Sequence, residues 1–167
     1  MRKILSLTLL VLVFSCNTAP KSEPVDLAAE EVAIKEVFET LFKAIEDRNI
    51  DLLASVLAND GVFMGTAPDE LFPKDSIVES WNQMMQMPKI PPIEYLSEPF
   101  IRIHSDGKTA VVVQQFYWEL FTTIPLRQTF WMVKSDSVWL IDFFDFSFAP
   151  YNEQIPLLNA AVKEEKE

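Results

Sequence analysis

The 167-residue chain has one histidine, one cysteine and three glycines. A lone cysteine cannot form a disulfide within the chain. Gly61, Gly65 and Gly107 are too scattered to build a phosphate-cradling loop. His104 sits beside a hairpin turn, and no cluster of His, Cys and carboxylates has metal-ligand spacing, so no metal and no cofactor are expected. Asp69, Glu70 and Asp75 lack the alternation of a calcium loop, and Glu70 is expected to brace the helix that follows. No serine or cysteine has a base placed for nucleophilic catalysis. Basic residues are also scarce: 14 Lys and Arg against 25 Asp and Glu give a net charge of −11. Such a surface repels phosphate backbones, so nucleic acid is not an expected partner. The longest apolar run, Ile4 to Phe14, is shorter than the ~20 residues a membrane span needs.

That run follows Arg2 and Lys3 and ends at Val13-Phe14-Ser15-Cys16. The order of basic start, apolar run, small residue and cysteine predicts a signal peptide over residues 1–15. Its end resembles a bacterial lipobox, which implies lipidation of Cys16 and a membrane held by the lipid anchor. The expected location is the bacterial cell envelope, facing the periplasm. Loss of Arg2 and Lys3 with the leader takes the charge from −11 to −13. Residues 16–25 then read as the lipidated Cys and a polar tether, and an apolar content of 49% allows a sizeable core beyond it.

The spacing of Leu27, Val32, Ile34, Val37, Phe38, Leu41, Phe42 and Ile45 predicts an amphipathic helix from an Asp26 cap to about Asp47. Asn49 or Asp51 caps a second helix, Leu52 to Ala58, and Asn59-Asp60-Gly61 reads as a turn. Val62 to Met64 is a short strand, and residues 65–72 are loop. A third helix runs from Ile77 to about Met87, before Pro88. The second half changes period, with strands at Phe100–His104, Thr109–Phe121, Leu126–Lys134 and Val138–Phe148. Residues 151–167 form a partly helical tail. The fold class is α+β: within one domain of residues 26–150, three N-terminal helices close the concave side of a strongly curved, mainly antiparallel sheet.

Asp60-Gly61-Val62-Phe63-Met64-Gly65-Thr66, Glu70, Trp81, Arg127-Gln128-Thr129-Phe130, Trp139-Leu140-Ile141 and Phe146-Ser147 together resemble the SnoaL-like branch of the nuclear transport factor 2-like superfamily. The resemblance implies a cone-shaped barrel with one deep pocket, often dimerising through the outer sheet face. It does not imply one chemistry, since relatives include isomerases, cyclases, dehydratases and binding modules. The final strand of this branch often carries histidines, where this chain has Phe143 and Asp145. A histidine-based role is therefore not carried over.

Strand register decides the pocket. A three-residue turn at Ser135–Ser137 sets Arg127 opposite Asp145 and turns Phe116, Trp118, Thr129, Trp131, Val133, Trp139, Ile141, Phe143, Asp145 and Ser147 inward. A two-residue turn sets Asp145 beside Gln128 and Glu119, placing two carboxylates together, so the first register is preferred. On it, Phe63, Met64, Trp81, Phe116, Trp118, Thr129, Trp131 and Phe143 wall a ligand pocket, with Asp145 as general base and Arg127 as its partner. The plainer reading of Arg127 and Asp145 is a structural ion pair. Tyr117, Phe130, Met132, Phe144 and Phe146 then form an outer apolar patch for a homodimer, unless Ile155, Leu157 and Leu158 cover it.

These readings favour a tethered domain binding a small apolar or amphipathic ligand. Two alternatives stand beside it: a cyclase or isomerase using Asp145, and an envelope interaction module with a solid cone.

Overall fold

The computed structural model describes residues 25–120 and 122–164. The leader, Cys16 and most of the tether lie outside the described residues. Helix α1 spans Leu27–Glu46, and its start is set by Asp26, whose carboxylate accepts from the N–H groups of Ala28 and Ala29. Its apolar stripe buries Ile34, Phe38, Leu41, Ala44 and Ile45. Asn49 caps α2, Ile50–Ser55, by accepting from Leu52 N–H. This helix ends before the expected Ala58, because the chain has already entered strand β1, Leu57–Met64. Strand β2, Leu71–Pro73, pairs back on β1 where a loop was expected. Helix α3, Lys74–Met85, buries Ile77, Trp81 and Met85. Arg48, in the left-handed region at φ 55°, donates to the carbonyl oxygens of Met85 and Pro88 and so closes the end of α3.

The remaining strands are β3 (Ile93–Tyr95), β4 (Phe100–Ile103), β5 (Thr109–Trp118), β6 (Thr122–Ser135) and β7 (Val138–Phe148). They complete a seven-stranded sheet ordered β2-β1-β7-β6-β5-β3, with β4 also on β5. Neighbours are antiparallel except β1 and β7, which run parallel. A turn of 3-10 helix at Asn152–Gln154 leads into α4, Ile155–Glu164. No helix among the described residues is long and apolar enough to cross a membrane.

The helices pack on one face of the sheet, and the core lies between. Its central row runs across four strands: Val112, Phe130, Phe144 and Phe63, all essentially inaccessible to solvent. Phe38 meets Phe130 edge-on at 4.6 Å, and Phe63 lies 4.9 Å from Phe144.

The register differs from the expected one. Ser135 pairs with Val138, so the turn has two residues, Asp136 and Ser137, both at positive φ as a type I′ turn requires. The alternation then slips. Met132 faces Ile141 but Trp131 faces Phe143, which makes Asp142 the extra residue of a β-bulge. Before the bulge, Trp139 and Ile141 point inward; after it, Phe144 and Phe146 do. Strand β1 bulges beside it, since Leu57 pairs with Ile141 but Val62 with Phe143. The residues read as a turn, Asn59-Asp60-Gly61, are this bulge. Gly61 is required there, because a Cβ would run into the carbonyl oxygen of Asp142 and the ring of Phe63. Lys74 steadies the bulge by donating to Leu57 O (2.7 Å) and Asn59 Oδ1 (2.9 Å).

Candidate functional site

The register finding redistributes the expected pocket. Phe63, Trp81, Phe116 and Trp118 lie inside, buried in the core. Thr129, Trp131, Phe143 and Asp145 lie on the opposite, outer face, and Trp131 is 44% exposed. Trp118 and Trp131 are thus on opposite sides of the sheet. Met64 pairs with Asp145 on one side and Leu71 on the other. Arg127 pairs with Ser147 and Thr129 with Asp145, so Arg127 is not across from Asp145. The ion pairs among the described residues are Lys35–Glu31, Lys43–Asp47, Lys134–Glu30 and His104 with Asp106, without one between Arg127 and Asp145. Asp145 instead accepts from the Ser147 hydroxyl at 2.7 Å. The physical reasons are the two-residue turn, which sends Thr129 and Trp131 of β6 outward, and the bulge, which inverts β7 beyond Asp142 and sends Phe143 and Asp145 outward.

The expected dimer patch is inverted too. Phe130, Met132 and Phe144 are buried core, and Phe146 packs against it. Of that set Tyr117 does face outward, where its hydroxyl shares a 3.2 Å hydrogen bond with Tyr151. The C-terminal helix leaves Leu157 73% exposed. Glu70 folds over the Gly65 loop and accepts from Ala67 N–H at 2.9 Å, bracing the loop rather than a helix. A Cβ on Gly65 would occupy the place of the Glu70 carboxylate.

Two adjoining concavities lie where α1 meets β3 and β5. One, of about 370 Å³, is lined by Phe42, Ile45, Arg48, Ile90, Pro91 and Trp118, among others. Trp118 is fixed in its wall by donating Nε1–H to Pro91 O at 2.8 Å. A second, of about 380 Å³, is lined by Phe38, Glu39, Ser97, Glu98 and Gln114, among others. Phe42, Glu46 and Tyr95 belong to both. Tyr95 meets Phe42 edge-on at 5.4 Å and forms the partition between them. The Tyr95 hydroxyl is pushed up to about 12, first by burial and then by the Glu46 carboxylate. It therefore stays protonated as a donor.

The second chamber has one buried polar residue in its lining, Gln114. Gln114 and Gln128 are the buried polar residues among the described ones, and they face each other across the β5–β6 ladder. Gln114 donates to Ser97 O at 2.8 Å. The Gln128 amide nitrogen is buried without a partner. The strands' own alternation held the signal for Gln114, which shares the parity of Phe116 and Trp118. Phe42, Glu46 and Tyr95 carried no comparable signal, since they read as a helix stripe and a short edge strand.

Residues 34–151 match the family model of the SnoaL-like domain, more than half of the chain. The chain belongs to the SnoaL-like family. Its fold is shared with solved structures of nuclear transport factor 2-like proteins. A nuclear transport factor 2-like protein of unknown function from Pseudomonas putida superposes with a TM-score of 0.58 at 20% identity, covering 80% of this chain and 94% of that one. A nuclear transport factor 2-like protein from Cytophaga hutchinsonii gives 0.59 at 18% identity, with 71% and 98% covered. A cystatin-like domain of unknown function from Nostoc punctiforme gives 0.64 at 17%, with 79% and 85% covered. At these identities the likeness is one of fold. Among curated proteins, nothing matches the sequence. In this SnoaL-like domain the inner sheet face, the helices and the paired concavities form the cone, and its interior is apolar apart from the two glutamines.

Proposed function

We propose that this SnoaL-like domain binds a small apolar or amphipathic molecule at the mouth of its cone while tethered to a membrane through Cys16. The observation that carries the reading is the pair of adjoining chambers sharing Phe42, Glu46 and Tyr95, about 370 and 380 Å³ each. Each falls in the size range of small-molecule sites, with apolar walls and few polar groups. Acid–base chemistry finds little support. The buried polar residues described are amides, and Asp145 sits on the other side of the sheet.

The test is nondenaturing mass spectrometry of the purified full chain. A small molecule should travel with it and be lost when Phe42→Lys places a charge in the shared wall. A chain free of any such molecule, and unable to take up octanol, contradicts the reading.

A second reading, a homodimer through the outer sheet face, is favoured by Trp131 at 44% exposure and Phe100 at 61% on that face. A solution mass near 38 kDa, twice the chain's 19.2 kDa, supports it; a strict monomer removes it.

A further inference from the structure

We infer that two copies of this chain pair by exchanging their C-terminal helices: α4 of each lays its apolar side on the outer sheet face of the other. This inference rests on the dimer reading above and names the segment that makes the contact.

Helix α4 is amphipathic and has no cover. At about 3.6 residues per turn, Ile155, Leu157, Leu158, Ala161 and Val162 fall on one side, with Asn159 and Lys163 on the other. Ile155, Leu157 and Val162 are 40%, 73% and 53% exposed, and within residues 155–163 only Leu158 is even half-buried. Helices shorter than about 12–15 residues are marginal alone in water, and α4 has 10. Its apolar side therefore needs a surface to pack on.

The chain's own sheet does not supply that surface. The lead-in to α4 is fixed: the Tyr151 hydroxyl shares its hydrogen bond with Tyr117 on the outer face, and Tyr151 N–H donates to Gln154 Oε1 at 2.9 Å. The helix thus departs from the outer face, yet the apolar residues of that face stay uncovered. One cross-strand row there runs Arg102, Val111, Trp131, Phe143 and Val62. Trp131 is 44% exposed, Val62 40%, and Phe100 beside the row 61%. Each protomer offers both an apolar helix and an apolar face, and a two-fold pairing satisfies each of them twice.

Charge favours a second copy in this arrangement. The chain carries −11, so two copies repel unless opposite charges meet at the contact. Residues 151–167 bear four carboxylate side chains against two lysines. The outer face presents Arg102 and Arg127, both exposed and without an ion pair among the described residues. Asp145 on the same face is engaged by the Ser147 hydroxyl. An acidic helical segment thus meets an apolar face flanked by free arginines, and such complementarity fixes how two surfaces dock.

The test is analytical ultracentrifugation of the full chain carrying Cys16→Ser, which excludes any lipid on that residue. This chain should sediment as a dimer. Leu157→Asp/Val162→Asp changes two residues that are exposed in the single protomer, so its unfolding midpoint should hold while the dimer Kd rises at least about thirtyfold. Arg102→Glu/Arg127→Glu should raise the Kd about fivefold. A bismaleimide should join a Leu157→Cys chain to a Trp131→Cys chain when the two are mixed. A dimer that survives Leu157→Asp/Val162→Asp would leave the outer-face dimer standing and overturn the helix exchange. So would a cross-link that forms only within one chain carrying both cysteines, since α4 would then cover its own sheet. A monomeric parent would overturn the dimer reading and this inference together.

Discussion

Glu30 ties the first turn of α1 to the far end of the sheet. Lys134 donates to both of its oxygens, at 2.6 and 2.7 Å, and Trp139 Nε1–H donates to one at 2.8 Å. These bonds hold its carboxyl below the usual range, the Lys134 bond most, then that of Trp139. A depressed folded value means stability that is present above the unfolded pKa and lost as pH falls through the folded one. Glu30→Gln is therefore expected to lower stability by about 1 kcal/mol at pH 7. The gap to the parent should narrow as pH falls into the acid range, measured by urea unfolding at several pH values. Gly107, at φ +65°, lies under Val25, and a Cβ there would collide with the Val25 methyls. Gly107→Ala should cost about 1–2 kcal/mol. Single residues were unevenly legible. The caps Asp26 and Asn49 were visible because a cap is a local pattern. Gln128 was not, because its burial depends on which face of β6 turns inward.

The β6–β7 hairpin is the element on which the register turns. Its Asp136-Ser137 turn places both residues at positive φ, a conformation that favours Asn-Gly. Ser137→Gly is thus expected to stabilise the domain by about 0.5–1 kcal/mol in thermal unfolding. Deleting Asp142 removes the extra residue and closes the ladder, with Phe143 still opposite Trp131 and Phe144 and Phe146 still inward. The expected outcome is that cooperative unfolding by calorimetry survives. The helices and the long strands could be read from periodicity, and so could the α+β order. The bulge could not. The reading balanced like charges across an unbroken ladder, and an extra residue at Asp142 removed that conflict by shifting the register. The parallel pairing of β1 with β7 also has no local signature, since it joins segments about 80 residues apart.

At the scale of the whole molecule, α1 separates two poles. Val25 packs on the Gly107 turn at one, and Glu46 borders both chambers at the other. Twenty residues of helix span about 30 Å. A chain moored through Cys16 would therefore open its chambers away from the membrane. Cys16→Ser is expected to release the protein into the soluble fraction after ultracentrifugation, whereas continued sedimentation with membranes would count against the anchor.

The central claim is that ligands enter the cone and not the outer sheet face, and two tryptophans report on it. Trp118 lines a chamber, and Trp131 lies on the outer face. Fluorescence quenching by 8-bromooctanol should saturate in the Trp131→Phe chain and be lost in Trp118→Phe. Saturable quenching that survives Trp118→Phe but disappears with Trp131→Phe would place the bound molecule outside the cone and contradict the account.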